Sequence, residues 1–189
     1  MDRLPLPPDD QLTDDQRAAV QAIKSGPRGE IVGPFIPLLR SPVLMTRIQQ
    51  TGEFLRFHST LPRHLFEMCI LLVARHWNQQ FEWGFHAPLA LSAGLPLSVV
   101  ESIADNRRPA DLDEATAAVW EIVDQLHRTK SVPDEAYATA VRILGDVGVV
   151  ELVGTVGYYT TLAMVMNTAC TASPPHGAPP LPEATGASA

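Results

Sequence analysis

The chain has 189 residues, which at about 150 residues per domain is one domain with little left over. Apolar residues make up 46% and charged residues 19%, a globular balance that argues against disorder. A net charge of -7 argues against a nucleic-acid partner, which needs clustered Lys and Arg. Two cysteines, Cys69 and Cys170, without any CxxC, leave no basis for a disulfide framework or a zinc knuckle.

Residues 1–11 read as an N-terminal extension, 12–170 as the folded domain and 171–189 as a disordered tail. The tail is mostly Thr, Ala, Ser, Pro and Gly, with too little apolar mass to offset chain entropy. Met1-Asp2-Arg3-Leu4-Pro5 lacks the apolar core of a signal peptide, so a cytoplasmic protein is expected. The weakly polar run from Val147 to Met166 contains Glu151, with Gly and Thr near its middle. Burial at a packed or subunit interface is expected there, not a membrane span.

Thr13-Asp14-Asp15 opens a first helix that Gly26 and Pro27 stop. The apolar stretch 28–37 is irregular and should pack down on the body. Pro42 starts a second helix ending near Phe57. Ser59 or Thr60 is placed to cap a third helix with Pro62 in its first turn. Its stretch Leu65–Arg75 is apolar on every side except at Glu67, the mark of a central helix. A fourth helix runs from Phe81 to Ala93 before Gly94, with a kink or early break expected at Pro88. A short helix follows from Pro96 to Ile103, then a sixth from Asp111 to about Lys130. Ser131-Val132-Pro133-Asp134 resembles a capping box for a seventh helix ending at Leu144. The last segment, Val147 to Ala169, is too long for a strand and has no alternating partner. The expected fold class is all-α.

Three ionisable residues stand out. A carboxylate on an apolar helix, Glu67, is costly to bury without a donor. Glu82 and His86 are four apart, which places them on one helical face with Cβ atoms about 6 Å apart. His86 is the expected partner of Glu67 across the helix pair. A Glu-His-Glu cluster would fix the imidazole's orientation and raise its basicity. Phe81, Trp83 and Phe85 are placed to wall a dry pocket. The competing reading is a non-catalytic helical oligomer in which these polar groups only satisfy one another. Glu151, in the run Val149–Val153, reads as a hydrogen-bonding residue at a helix start or between helices. His58, His64, His76 and His127 read as surface or helix-end residues.

Arg63-His64-Leu65-Phe66-Glu67-Met68, then Gln79-Gln80-Phe81-Glu82-Trp83-Gly84-Phe85-His86, then Ala90 and Ala93-Gly94-Leu95, resemble the carboxymuconolactone decarboxylase family, which includes the AhpD-like alkylhydroperoxidases. The resemblance extends from about Gly29 to Asn167. It implies an all-α fold around a central helical hairpin, assembled as a homo-oligomer, trimer or hexamer, that acts on a small-molecule substrate. In the AhpD-like branch a CxxC precedes the His; here Gln79 and Glu82 occupy those two positions. Disulfide chemistry needs a thiolate and a resolving thiol, so a thiol-peroxidase mechanism is not expected. The decarboxylase branch lacks the CxxC. There, loss of CO2 from a lactone acid leaves a dienolate that a positioned acid must protonate at carbon. His86 matches that general acid, with Glu82 and Glu67 setting its charge and tautomer. Trp83, Gln79 and Tyr158 are expected to contact the substrate. No cofactor is expected. No metal is expected either, because no further His stands at a ligand-like spacing from Glu67, Glu82 and His86. The family's usual substrate carries two carboxylates, whereas this site offers two glutamates and few cations. Arg56, Arg63 and Arg75 are near in sequence, but no spacing forces them inward.

Overall fold

A helix that is apolar all round must be covered on most faces, and that requirement organises the molecule. The computed structural model describes residues 2–174 and 177–182. Among these residues there are eight α-helices and no strand: α1 (Asp14–Ser25), α2 (Phe35–Leu38), α3 (Pro42–Phe57), α4 (Arg63–His76), α5 (Gln80–Ser92), α6 (Leu97–Ala104), α7 (Glu114–Thr129) and α8 (Asp134–Ala169). Every residue of α4 from Leu65 to Arg75 is buried. Helices α5, α6, α7 and α8 all pack on it. No helix among the described residues is long and apolar enough to cross a membrane.

Most boundaries follow local chemistry. Thr13 and Gln16 form a full capping box at α1, with Gln16 N donating to Thr13 Oγ1 at 3.2 Å and Thr13 N to Gln16 Oε1 at 2.9 Å. Asp113 caps α7 by accepting from Thr116 N at 2.8 Å. Gly145 adopts φ +70° inside α8 and divides it where the sequence predicts two helices. Two expected caps are absent. Pro62 and Pro133 occupy the N-cap positions of α4 and α8 without side-chain hydrogen bonds. Thr60 serves elsewhere: its N and Oγ1 donate to Glu151 Oε2 at 2.6 and 2.7 Å, tying the α3–α4 loop to α8. Nor does α5 break at Pro88, running unbroken through it to Ser92. The one backbone bond that Pro88 cannot make leaves Gly84 O free, and Ala178 N donates to it at 3.2 Å.

The α4–α5 connection places the site. Asn78 takes φ +49° after α4, and the turn closes as a Schellman motif. Gln79 N donates to Ala74 O at 2.8 Å and Asn78 N to Arg75 O at 3.1 Å. The two helices thereby fold back as a hairpin. Asn167 of α8 clamps this turn by donating to Trp77 O at 2.9 Å and accepting from Gln79 Nε2 at 2.9 Å.

Described residues near both ends lie against the body. Arg3 N donates to Ala169 O at 2.7 Å. The tail, expected to be disordered, returns over α5 at residues 177–182. Trp83 Nε1 donates to Pro179 O at 3.1 Å, Leu181 N donates to Gln80 Oε1 at 2.9 Å, and Arg75 Nη1 donates to Pro182 O at 2.8 Å. The Leu181 side chain is buried, and the segment crosses α5 at Gly84, whose carbonyl accepts from Ala178 N. A few specific contacts thus anchor a segment whose composition predicts none. His176 and residues 183–189, also assigned to the tail, fall outside the described residues.

The loop before α2 is fixed by one close approach. Gly33 has φ +55°, and a Cβ there would lie 2.4 Å from Phe81 Cε1. Gly29 has φ +75° with open space around it. Gly33→Ala is therefore expected to lower the Tm more than Gly29→Ala, since it adds a ring clash to the same backbone strain of about 1–3 kcal/mol. Thermal denaturation of the two variants checks this ordering.

Candidate active site

The α4–α5 hairpin brings Glu67, Glu82 and His86 together. His86 Nδ1 lies 2.7 Å from Glu67 Oε2, and His86 Nε2 lies 3.3 Å from Glu82 Oε2. The trio is almost wholly removed from solvent, with 0% of Glu67 and 3% of both Glu82 and His86 exposed. Arg63 Nη2 approaches the second Glu67 oxygen, Oε1, at 2.5 Å, an ion-pair contact not aligned as a hydrogen bond. The second Glu82 oxygen, Oε1, is buried with no partner among the described residues.

Burial is the largest single influence on His86 and by itself depresses its pKa. The hydrogen bonds and negative charges of Glu67 and Glu82 act the other way and together prevail, so the pKa lies above the ordinary imidazole value. When protonated, the ring donates from Nδ1 to Glu67 and from Nε2 to Glu82. Tyr159 stacks edge-on against the imidazole, with ring centroids 5.3 Å apart. Burial, then the charge of Glu82, holds the Tyr159 phenol well above its usual range, so it stays protonated.

A cavity of about 40 Å³ opens beside His86 and Glu82. That is room for two or three water-sized groups. Phe81, Phe85 and Leu162 supply apolar wall, and Tyr158 and Tyr159 supply hydroxyls. Burial pushes the Tyr158 phenol up to about 12, against the opposing charge of Arg28. Two arginines, Arg28 and Arg56, also line the cavity.

The predicted site residues therefore divide. Glu67 and Glu82 both contact His86, and Tyr158 lines the cavity beside them. Gln79 and Trp83 do not line it. Gln79 caps α5, its Oε1 accepting from Phe81 N at 2.5 Å, and Trp83 points to the returning tail. Arg28 is a site residue that the sequence does not flag, because it sits in an aperiodic loop. Its signal was a lone cation within an apolar stretch that was expected to pack inward. His76 and His127, expected as surface or helix-end residues, stack on each other with centroids 4.0 Å apart. Among the described residues no group of three His, Cys, Asp or Glu is arranged to hold a metal ion.

The thiols stand apart from this chemistry. Cys69 is fully buried on α4, and desolvation pushes its thiol far above the usual range. Cys170 is exposed at the end of α8. Neither lines the cavity.

No protein-family model matches the sequence, and no curated protein matches it significantly. Solved structures do match. An uncharacterized peroxidase-related protein from Silicibacter sp. TM1040 superposes with a TM-score of 0.72 at 15% identity, over 92% of each chain. A second, from Ralstonia eutropha JMP134 and described as an alkylhydroperoxidase AhpD core, gives 0.74 at 16% identity, over 92% of this chain and 93% of that one. A protein of unknown function from Agrobacterium tumefaciens that carries the AhpD name gives 0.61 at 18% identity, over 72% and 94%. The fold is the AhpD-like fold. Identities of 15–18% extend the likeness to the fold and no further.

Because the folded-state pKa of His86 is raised, its pairing with Glu67 contributes stability fully below the unfolded value of about 6.5. That contribution is lost as pH rises through the folded pKa. Glu67→Gln is expected to lower the Tm more near pH ~6 than in strongly alkaline buffer. Equal losses at both pH values in differential scanning calorimetry would contradict the assignment.

Proposed function

We propose that this protein is a general acid–base enzyme, most like the decarboxylase branch of its fold, acting on a small lactone or enolisable carboxylate. The observation that carries the reading is the doubly engaged His86 beside a small, partly apolar cavity. Breaking the bond between carbon and a carboxylate releases CO2 and leaves the electron pair in a conjugated enolate. The proton that quenches this carbanion comes from His86 Nε2, the ring nitrogen nearer the cavity-lining Glu82 and held by the longer contact. Solvent then returns a proton to the ring. Glu67 holds the imidazole through Nδ1 and, with Glu82, raises its pKa, which favours the cationic ring whose Nε2–H is the acid. With room for only a few heavy atoms, the cavity takes the reacting head of the substrate.

Peroxide chemistry, suggested by the names of the structural neighbours, lacks a thiol here: Gln79 and Glu82 stand where a CxxC would, and Cys69 is buried and desolvated. A homo-oligomer, trimer or hexamer, belongs to the same reading. Exposed apolar side chains on α3 and on α8 beyond Gly145, among them Val43, Leu44, Phe54, Val147, Val150 and Val153, support it.

His86→Ala and Glu82→Gln should each reduce turnover of a panel of small lactone acids and enolisable carboxylates by about 10²–10⁴-fold. Full activity in His86→Ala contradicts the reading. Cys69→Ser and Cys170→Ser should leave turnover unchanged, and peroxide consumption that disappears in either variant would favour the thiol mechanism instead.

A further inference from the structure

The cavity beside His86 contains more unmet polar capacity than proton transfer uses. Arg28 Nε and Arg56 Nε are both buried and have no hydrogen-bond partner among the described residues. Neither guanidinium has an ion-pair partner among the described residues. Glu82 lines the same cavity, and its Oε1 is a buried acceptor with no donor among the described residues. Unpaired buried polar groups are costly, and three of them on residues that line one small void point to a ligand there.

The two arginines are also held in place. The Arg28 guanidinium lies 4.8 Å from the Phe35 ring centroid, and its Nη2 is 3.5 Å from Tyr158 Oη. Gly52 makes room for this pair: a Cβ there would lie 1.9 Å from Tyr158 Oη and 2.8 Å from Arg28 Nη2. The Arg56 guanidinium lies 5.4 Å from the centroids of both Phe57 and Phe85. Aromatic faces restrain a planar guanidinium while leaving its edge donors free for a carboxylate.

We propose that Arg28 and Arg56 form a receptor for the carboxylate of a small 2-hydroxy acid, whose hydroxyl donates to Glu82 Oε1. Two guanidinium edges match two carboxylate oxygens, and a hydroxyl on the adjacent carbon meets the lone acceptor across the void. The cavity volume restricts the ligand to a few heavy atoms, with glycolate as the smallest member of the class. This deepens the preceding reading, because a carboxylate held there lies beside His86, yet it can fail separately.

The test is titration of the full chain by ¹H–¹⁵N NMR with glycolate, acetate, glycolamide and inorganic phosphate. Glycolate should bind most tightly, and glycolamide, which keeps the hydroxyl but lacks the charge, should bind about tenfold or more weaker. Arg28→Met and Arg56→Met should each weaken glycolate by about tenfold or more, with the Lys variants intermediate; the amide spectrum reports whether each variant is folded. No glycolate binding to the unaltered chain overturns the proposal. So does acetate, glycolamide or phosphate binding as tightly as glycolate, or glycolate binding unchanged in folded Arg→Met variants. Arginine-dependent binding in a protein that turns over no substrate would keep this inference and defeat the catalytic reading. Turnover without arginine-dependent binding would do the reverse.

Discussion

The burial of Glu67 in the most apolar helix of the chain is the constraint from which the site follows. A lone carboxylate at 0% exposure would be strongly destabilising. Helix α4 cannot supply enough compensation by itself, since the residues around Glu67 along the helix are apolar apart from half-exposed Arg63 and His64. The partner has to come from another element. The Schellman turn at Asn78 sends α5 back along α4 and delivers His86 to Glu67 at 2.7 Å. Glu82, one turn earlier on α5, reaches the other ring nitrogen. Removing one acid leaves the remaining buried groups unbalanced, so structure and protonation state are bound to each other.

The same arrangement explains why an imidazole in so dry a place has its pKa raised, not lowered. Desolvation favours the neutral ring, and it is the strongest single influence. Two carboxylates acting through hydrogen bonds and charge outweigh it. The aromatic residues around the ring lower the local dielectric, which strengthens each of those attractions as well as the desolvation they oppose. Tyr159 adds a protonated phenol at the edge of the same cavity. A proton donor held by two acids beside a small void is the physical basis of the catalytic reading.

How much of this was legible in the sequence depended on how local each signal was. Helix α4 could be placed because a continuous apolar tract admits only a central position. The Glu67–His86 pair could be anticipated because a stranded carboxylate requires a donor, and i,i+4 spacing put Glu82 beside His86. Gln79 and Trp83 could not be separated from the site by position alone: both flank Glu82, and only the turn and the returning tail show that they serve as a helix cap and a tail anchor. Arg28 was hidden because loop residues carry no periodicity from which direction can be read. The packing of residues 177–182 was hidden for a different reason. Composition measures the average tendency of a segment, whereas one buried Leu181 and the hydrogen bonds of Gln80, Trp83 and Arg75 suffice to hold it.

The protonation of His86 is the hinge between fold and chemistry, and ¹⁵N NMR of its ring across pH measures it directly. The account predicts protons on both Nδ1 and Nε2 at neutral pH, with a transition above the ordinary imidazole value of about 6.5. A neutral single-tautomer ring at neutral pH, or a transition at or below that value, would contradict it.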